Sequence, residues 1–156
     1  LYNSLLYINR NNAETKRYQE EGLKLLSGKV DSLPSKIAFR PKFIKQSSCI
    51  KVFDKLYLFI SKANIKKPVE ERFDALFHEI GHWLHFQNIT PLKECREVWK
   101  NANLEKIKED VSEYAVKKDD GREFVAEVFK GLVKGKKYDE YIMNLYKRLH
   151  GPIPHD

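Results

Sequence analysis

The sequence predicts an α+β fold, a small mixed sheet of about three strands followed by packed helices. Three observations carry this. Residues Ser35 to Ile60 are rich in β-branched and aromatic side chains broken by polar turns, helical signals dominate the chain after Pro68, and one of those later helices is strongly amphipathic. At 156 residues, with 42% hydrophobic and 33% charged, the chain fits one domain, 1–156, with a single core. Its 9 Phe, 8 Tyr and 2 Trp exclude intrinsic disorder.

Taken in order, Asn11 to Gly28 reads as a helix, with Asn11 as cap, Glu14 three residues on and Gly28 as stop. Residues 1–34 are therefore expected to form a helical N-terminal part, and 35–151 the functional core. Ile37, Phe39 and Phe43, then Ile50 and Val52, then Leu56 to Ile60 mark three short strands. A helix from Pro68 to about Phe86 comes next, since Pro68 suits a first helical position and Glu70 and Glu71 suit a helix N-terminus. Thr90–Pro91 opens a helix reaching about Glu109, and another covers about Arg122 to Val133. The last runs from about Tyr138 to Leu149 and is closed by Gly151 and Pro152.

Composition narrows the function classes. The net charge of +7 suits acidic surroundings, but a lysine-rich composition explains it equally. The lysines fall in ones and twos (Lys66–Lys67, Lys117–Lys118, Lys136–Lys137), so nucleic acid ranks low as a partner. No apolar run approaches the ~18–20 residues of a membrane span. Cys49 and Cys95 lack CxxC spacing, which excludes a cysteine-based zinc site and favours two free thiols. The sequence opens on Leu1 and shows no signal peptide. We expect an upstream region or a removed segment, and secreted, effector, phage-associated and cytoplasmic locations all stay open.

The chemistry lies in Phe77-His78-Glu79-Ile80-Gly81-His82-Trp83-Leu84-His85. Histidines four apart on a helix converge on one ion, and a glutamate beside the first can take a proton from metal-activated water. At about 100° per residue, Val69, Phe73, Leu76, Phe77, Ile80 and Leu84 share an apolar face. His78, His82 and His85 lie opposite, facing either a cleft or solvent. The HExxH pattern arises by chance in roughly one chain of this length per few hundred. Gly81 adds to the signal, because a mid-helix glycine costs ~1 kcal/mol relative to alanine and implies a close neighbouring backbone.

A catalytic zinc takes three protein ligands. His85 lies too far along the axis and is expected to line the cleft or to be hydrogen-bonded. The metzincin pattern would need Gly at 85 and His at 88, where His85 and Asn88 stand. His150 and His155 read as tail residues. Glu123 and Glu127 line one side of the 122–133 helix, and like charges at this spacing cost an isolated helix ~0.2–0.5 kcal/mol. Either a zinc–histidine site compensates them, or Glu123 closes a capping box with Asp120 while Glu127 faces solvent near Lys130.

With Ser112-Glu113-Tyr114-Ala115 and Glu123-Phe124-Val125-Ala126-Glu127-Val128-Phe129, the HEIGH segment resembles the catalytic half of the anthrax lethal factor-like metallopeptidases. That group includes the bacterial Pro-Pro endopeptidases. The chain is also similar to zincin domains of phage head-morphogenesis (minor capsid) proteins. The resemblance implies a zincin-like domain holding Zn2+ through His78, His82 and Glu123. It further implies Glu79 as general base, Tyr114 as oxyanion donor and Glu127 as support behind the ligands. Departing from the pattern, the polar insert Val116 to Arg122 between Tyr114 and Glu123 is somewhat long. By the same analogy, the strand Leu56 to Ser61 is expected to be a sheet edge to which an extended peptide adds. The function so implied is a zinc-dependent endopeptidase acting on protein or peptide. The alternative is a phage assembly or toxin domain with a metal site and little peptidase activity.

Overall fold

The computed structural model describes residues 12–53, 55–87 and 92–155. Among them the chain is α+β, with six α-helices and one mixed three-stranded sheet. It divides into two compact units, Leu1–Ile80 and Gly81–Asp156, and the division falls inside one helix.

In the first unit, α1 (Ala13–Leu26) is started by Asn12, whose side chain accepts from the Thr15 amide at 2.9 Å while Thr15 Oγ1 accepts from the Asn12 amide. The capping box thus uses Asn12 and Thr15, because Thr15 occupies the third helical position that a cap at Asn12 requires; the expected cap, Asn11, lies outside the described residues. Buried Tyr18 on α1 packs edge-on against Phe39, with ring centroids 5.9 Å apart, and donates its hydroxyl to the Arg72 carbonyl at 2.8 Å. Gly22 lies against Leu76 and Phe73 with no room for a Cβ, which lets α1 sit close to them.

The strands are β1 (Ala38–Arg40), β2 (Ser48–Val52) and β3 (Lys55–Ser61), close to their predicted positions. Phe43 belongs to none of them. It is exposed beyond Pro41, whose carbonyl accepts from Ile44 in a turn. The order is β1-β3-β2, with β1 parallel and β2 antiparallel to β3. The expectation that Leu56 to Ser61 forms an edge is therefore wrong. Its last four residues are buried, and β1 and β2 pair with it on either side. The core of this unit gathers Tyr18, Leu26, Ile37, Phe39, Leu58, Ile60, Leu76 and Ile80.

The histidine-bearing helix α2 spans Asp74–Gln87 and begins later than predicted. After Pro68 the chain forms turns, with Glu71 donating to Pro68 and Asp74 to Glu71, while Arg72 Nε returns to the Lys67 carbonyl. Val69 consequently lies off the apolar face, 70% exposed, whereas Leu76, Phe77, Ile80 and Leu84 are buried as predicted.

In the second unit the helix expected from Thr90 to Glu109 is two, α3 (Leu92–Trp99) and α4 (Leu104–Asp110). Thr90 and Pro91 themselves lie outside the described residues. Asn103 makes the break: its side chain accepts from the Lys106 amide at 3.1 Å, capping α4 instead of continuing α3. A 3-10 turn, Tyr114–Val116, precedes α5 (Arg122–Val133) and α6 (Glu140–Arg148), the latter capped by Asp139. Phe124, Val125, Val128 and Phe129 of α5 are fully buried with Ile107, Ile142 and Leu149.

Candidate metal centre

His78, Glu79 and His82 occupy one face of α2, and each offers a ligand atom lying within 4.8 Å of the other two. All three are buried, with 6–8% of their surface exposed, so the solvent-facing alternative for these histidines is excluded. Burying three such groups is costly unless they meet partners or an ion.

Part of that answer comes from α5. His82 Nε2–H donates to Glu123 Oε1 at 2.7 Å, with both side chains less than a tenth exposed. The capping-box reading of Glu123 fails, because the residue before α5 is Gly121 at φ +78° and Asp120 is engaged with the Arg122 amide and guanidinium. Glu127, one turn further on, is buried as well. It accepts from Ser112 Oγ at 2.9 Å and from Lys130 Nζ at 3.0 Å. Of the two readings of Glu127, the solvent-facing one fails on its burial, although Lys130 is the neighbour it named.

Gly81 explains how α5 reaches this helix. A Cβ there would lie 3.1 Å from the Ala126 Cα and 3.2 Å from Phe129 Cβ, so a side chain would press on backbone. The glycine marks a close backbone approach, as its place in the sequence implied. His85 stands apart from the cluster: its Nε2–H donates to the Leu149 carbonyl at 2.8 Å, the hydrogen-bonded role expected of it. Burial holds its pKa below the ordinary histidine value, although the Leu149 bond acts the other way. His150 is exposed near Glu94, and Tyr114 is 46% exposed with Lys117 Nζ 4.8 Å from its ring centre.

Two residues near Glu79 escaped sequence reasoning. Buried Arg40 on β1 donates to the Gln46 carbonyl and to Ser48 Oγ, and its charge, lowered in stability by burial, is supported by the Glu79 carboxylate. Cys49 on β2 is a free thiol pushed up to about 12 by burial and then by Glu79, so it stays protonated. Neither has a local sequence signal, because strand pairing brings them there. Cys95 is a buried thiol on α3.

The donor set suits a divalent ion. Two imidazoles and a carboxylate are zinc ligands, and ligands on one tetrahedral ion with ~2.0–2.1 Å bonds sit about 3.3 Å apart. The mutually close donors are His78, Glu79 and His82, and Glu123 meets them through His82 at 2.7 Å. No helix among the described residues is long and apolar enough to cross a membrane. Comparison with protein-family models, curated proteins and solved structures finds no match.

Proposed function

We propose that this chain is a zinc-dependent endopeptidase, with His78, His82 and Glu123 holding the ion and Glu79 as general base. The observation that carries the reading is the buried His78-Glu79-His82 cluster with a carboxylate from a second helix already bonded to one of its histidines. Zinc, when bound, supplies a Lewis acid that brings the pKa of water towards ~7 and polarises a carbonyl. Glu79 takes the proton of the attacking water and returns it to the departing amine. Its burial keeps bulk water away, so its charge acts at low dielectric. Tyr114 donates its hydroxyl to the developing oxyanion, and Glu127 supports the ligands from behind. The substrate class is protein or peptide.

The test pairs metal content with turnover. After zinc reconstitution the protein should carry about one zinc per chain and cleave members of a peptide library. Glu79→Gln should keep the zinc while turnover falls by ~10²–10⁴-fold. Failure to take up zinc defeats the proposal, as does a Glu79→Gln variant cleaving at the parent rate. Zinc without turnover in the parent would move the reading to an assembly or toxin domain that keeps only the metal site.

A further inference from the structure

Ser112 lies just beyond Val111, the C-cap of α4, and before the Tyr114 turn, and its hydroxyl makes two bonds. It donates to Glu127 Oε1 on α5 at 2.9 Å, and it accepts from the Ala115 amide inside the turn at 3.2 Å. Its own amide returns to the Ile107 carbonyl, which fixes the residue at the end of α4. Glu127 is also paired with Lys130 at 3.0 Å, and Ala115 is fully buried. Glu123 and Glu127 stand one turn apart on α5. One helix face thus carries the carboxylate bonded to His82 and the carboxylate bonded to Ser112, whose hydroxyl in turn accepts from the turn that bears Tyr114.

We infer that Ser112 is a positioning residue, a pin through which Glu127 sets the 3-10 turn and hence the place of the Tyr114 hydroxyl. The inference rests on the oxyanion-donor reading of Tyr114 for its functional consequence, though not for its structural content. Tyr114 is half exposed, so packing restrains its backbone less than that of a core residue, and the Ser112 hydroxyl adds a restraint at the turn itself. A hydroxyl bridging a carboxylate and a turn amide is a local side-chain-to-backbone bond of the kind that fixes turns.

The experiment uses the zinc-reconstituted chain with Ser112→Ala, Ser112→Thr and Tyr114→Phe. Amide hydrogen exchange across residues 113–117 should speed up about tenfold or more in Ser112→Ala and return towards the parent rate in Ser112→Thr, which keeps the hydroxyl. Zinc stoichiometry should not change in any of them. On a cleaved peptide, Ser112→Ala should lower kcat by roughly 10–100-fold with KM little moved, against ~10²–10³-fold for Tyr114→Phe. The double variant should be no more than about twofold worse than Tyr114→Phe alone. Unchanged exchange in Ser112→Ala, or additive losses in the double variant, would overturn the pin. If the parent cleaves nothing, the peptidase reading fails on its own, and the exchange rates still decide whether Ser112 holds the turn.

Discussion

Replacing Gly81 by alanine tests the packing on which the centre depends. Alanine should gain ~1 kcal/mol in helix propensity over glycine. Its Cβ, however, would sit 3.1 Å from Ala126 Cα and 3.2 Å from both Phe129 Cβ and Phe129 Cδ2. Comfortable carbon contacts start near ~3.5 Å, so three atoms are each about 0.3–0.4 Å too close. Rotating Phe129 relieves one of them, but Ala126 Cα is backbone and moves only if α5 itself withdraws. Overpacking of this kind costs ~1–3 kcal/mol, which leaves a net loss of about 0–2 kcal/mol. A loss near the middle of that range lowers Tm by ~2–4 °C. Because α5 carries Glu123, the same withdrawal displaces the carboxylate that the proposed site takes from α5, and zinc affinity should weaken roughly tenfold or more. Urea denaturation of the apo protein and a competitive zinc titration measure the two effects separately. A variant more stable by ~1 kcal/mol with parental zinc affinity would show that the contact yields, and the reasoning from Gly81 to Glu123 would be refuted.

Further outcomes can be checked with the same assays. Glu123→Ala should strip most of the zinc while Glu127→Ala retains it, read by metal analysis after dialysis; the reverse pattern would exchange the roles of the two glutamates. His85, whose pKa burial depresses, stays neutral in the fold while the unfolded chain takes up its proton near 6.5. Stability from this residue is therefore complete above that pH and lost as pH falls below it, so His85→Gln should flatten the denaturation midpoint between about pH 7 and 5. Gly121→Ala forces a side chain onto φ +78° and brings its Cβ to 2.9 Å from Leu149 Cδ1; a loss of ~1–3 kcal/mol in urea denaturation is expected.

Periodicity found what is local. The α+β order, the positions of the strands, the span of α5 and the buried face of Leu76, Ile80 and Leu84 all arise from spacing within one segment. Gly81 was readable because glycine in a helix asks for a reason. Three errors share another cause. The helix starting at Pro68 became turns because Tyr18 and Lys67, far and near, claim Arg72. The long helix before Glu109 broke at Asn103, a capping residue whose amide also meets the Tyr141 hydroxyl. The strand Leu56 to Ser61 proved central because partner order is set by tertiary assembly, which a single strand's pattern does not encode. At the site, periodicity put Glu123 and Glu127 on one face, but only the folded chain separates a carboxylate bonded to His82 from one bonded to Ser112.

The mixed pairing of the sheet has a directional consequence. Among the described residues β1 and β2 pair only with β3, and they run in opposite senses. A guest strand joining β2 in antiparallel fashion would point the same way as β3, whereas one joining β1 likewise would point against it. For antiparallel addition, the two rims therefore take guests of opposite polarity. The five residues of β2 offer a longer ladder than the three of β1.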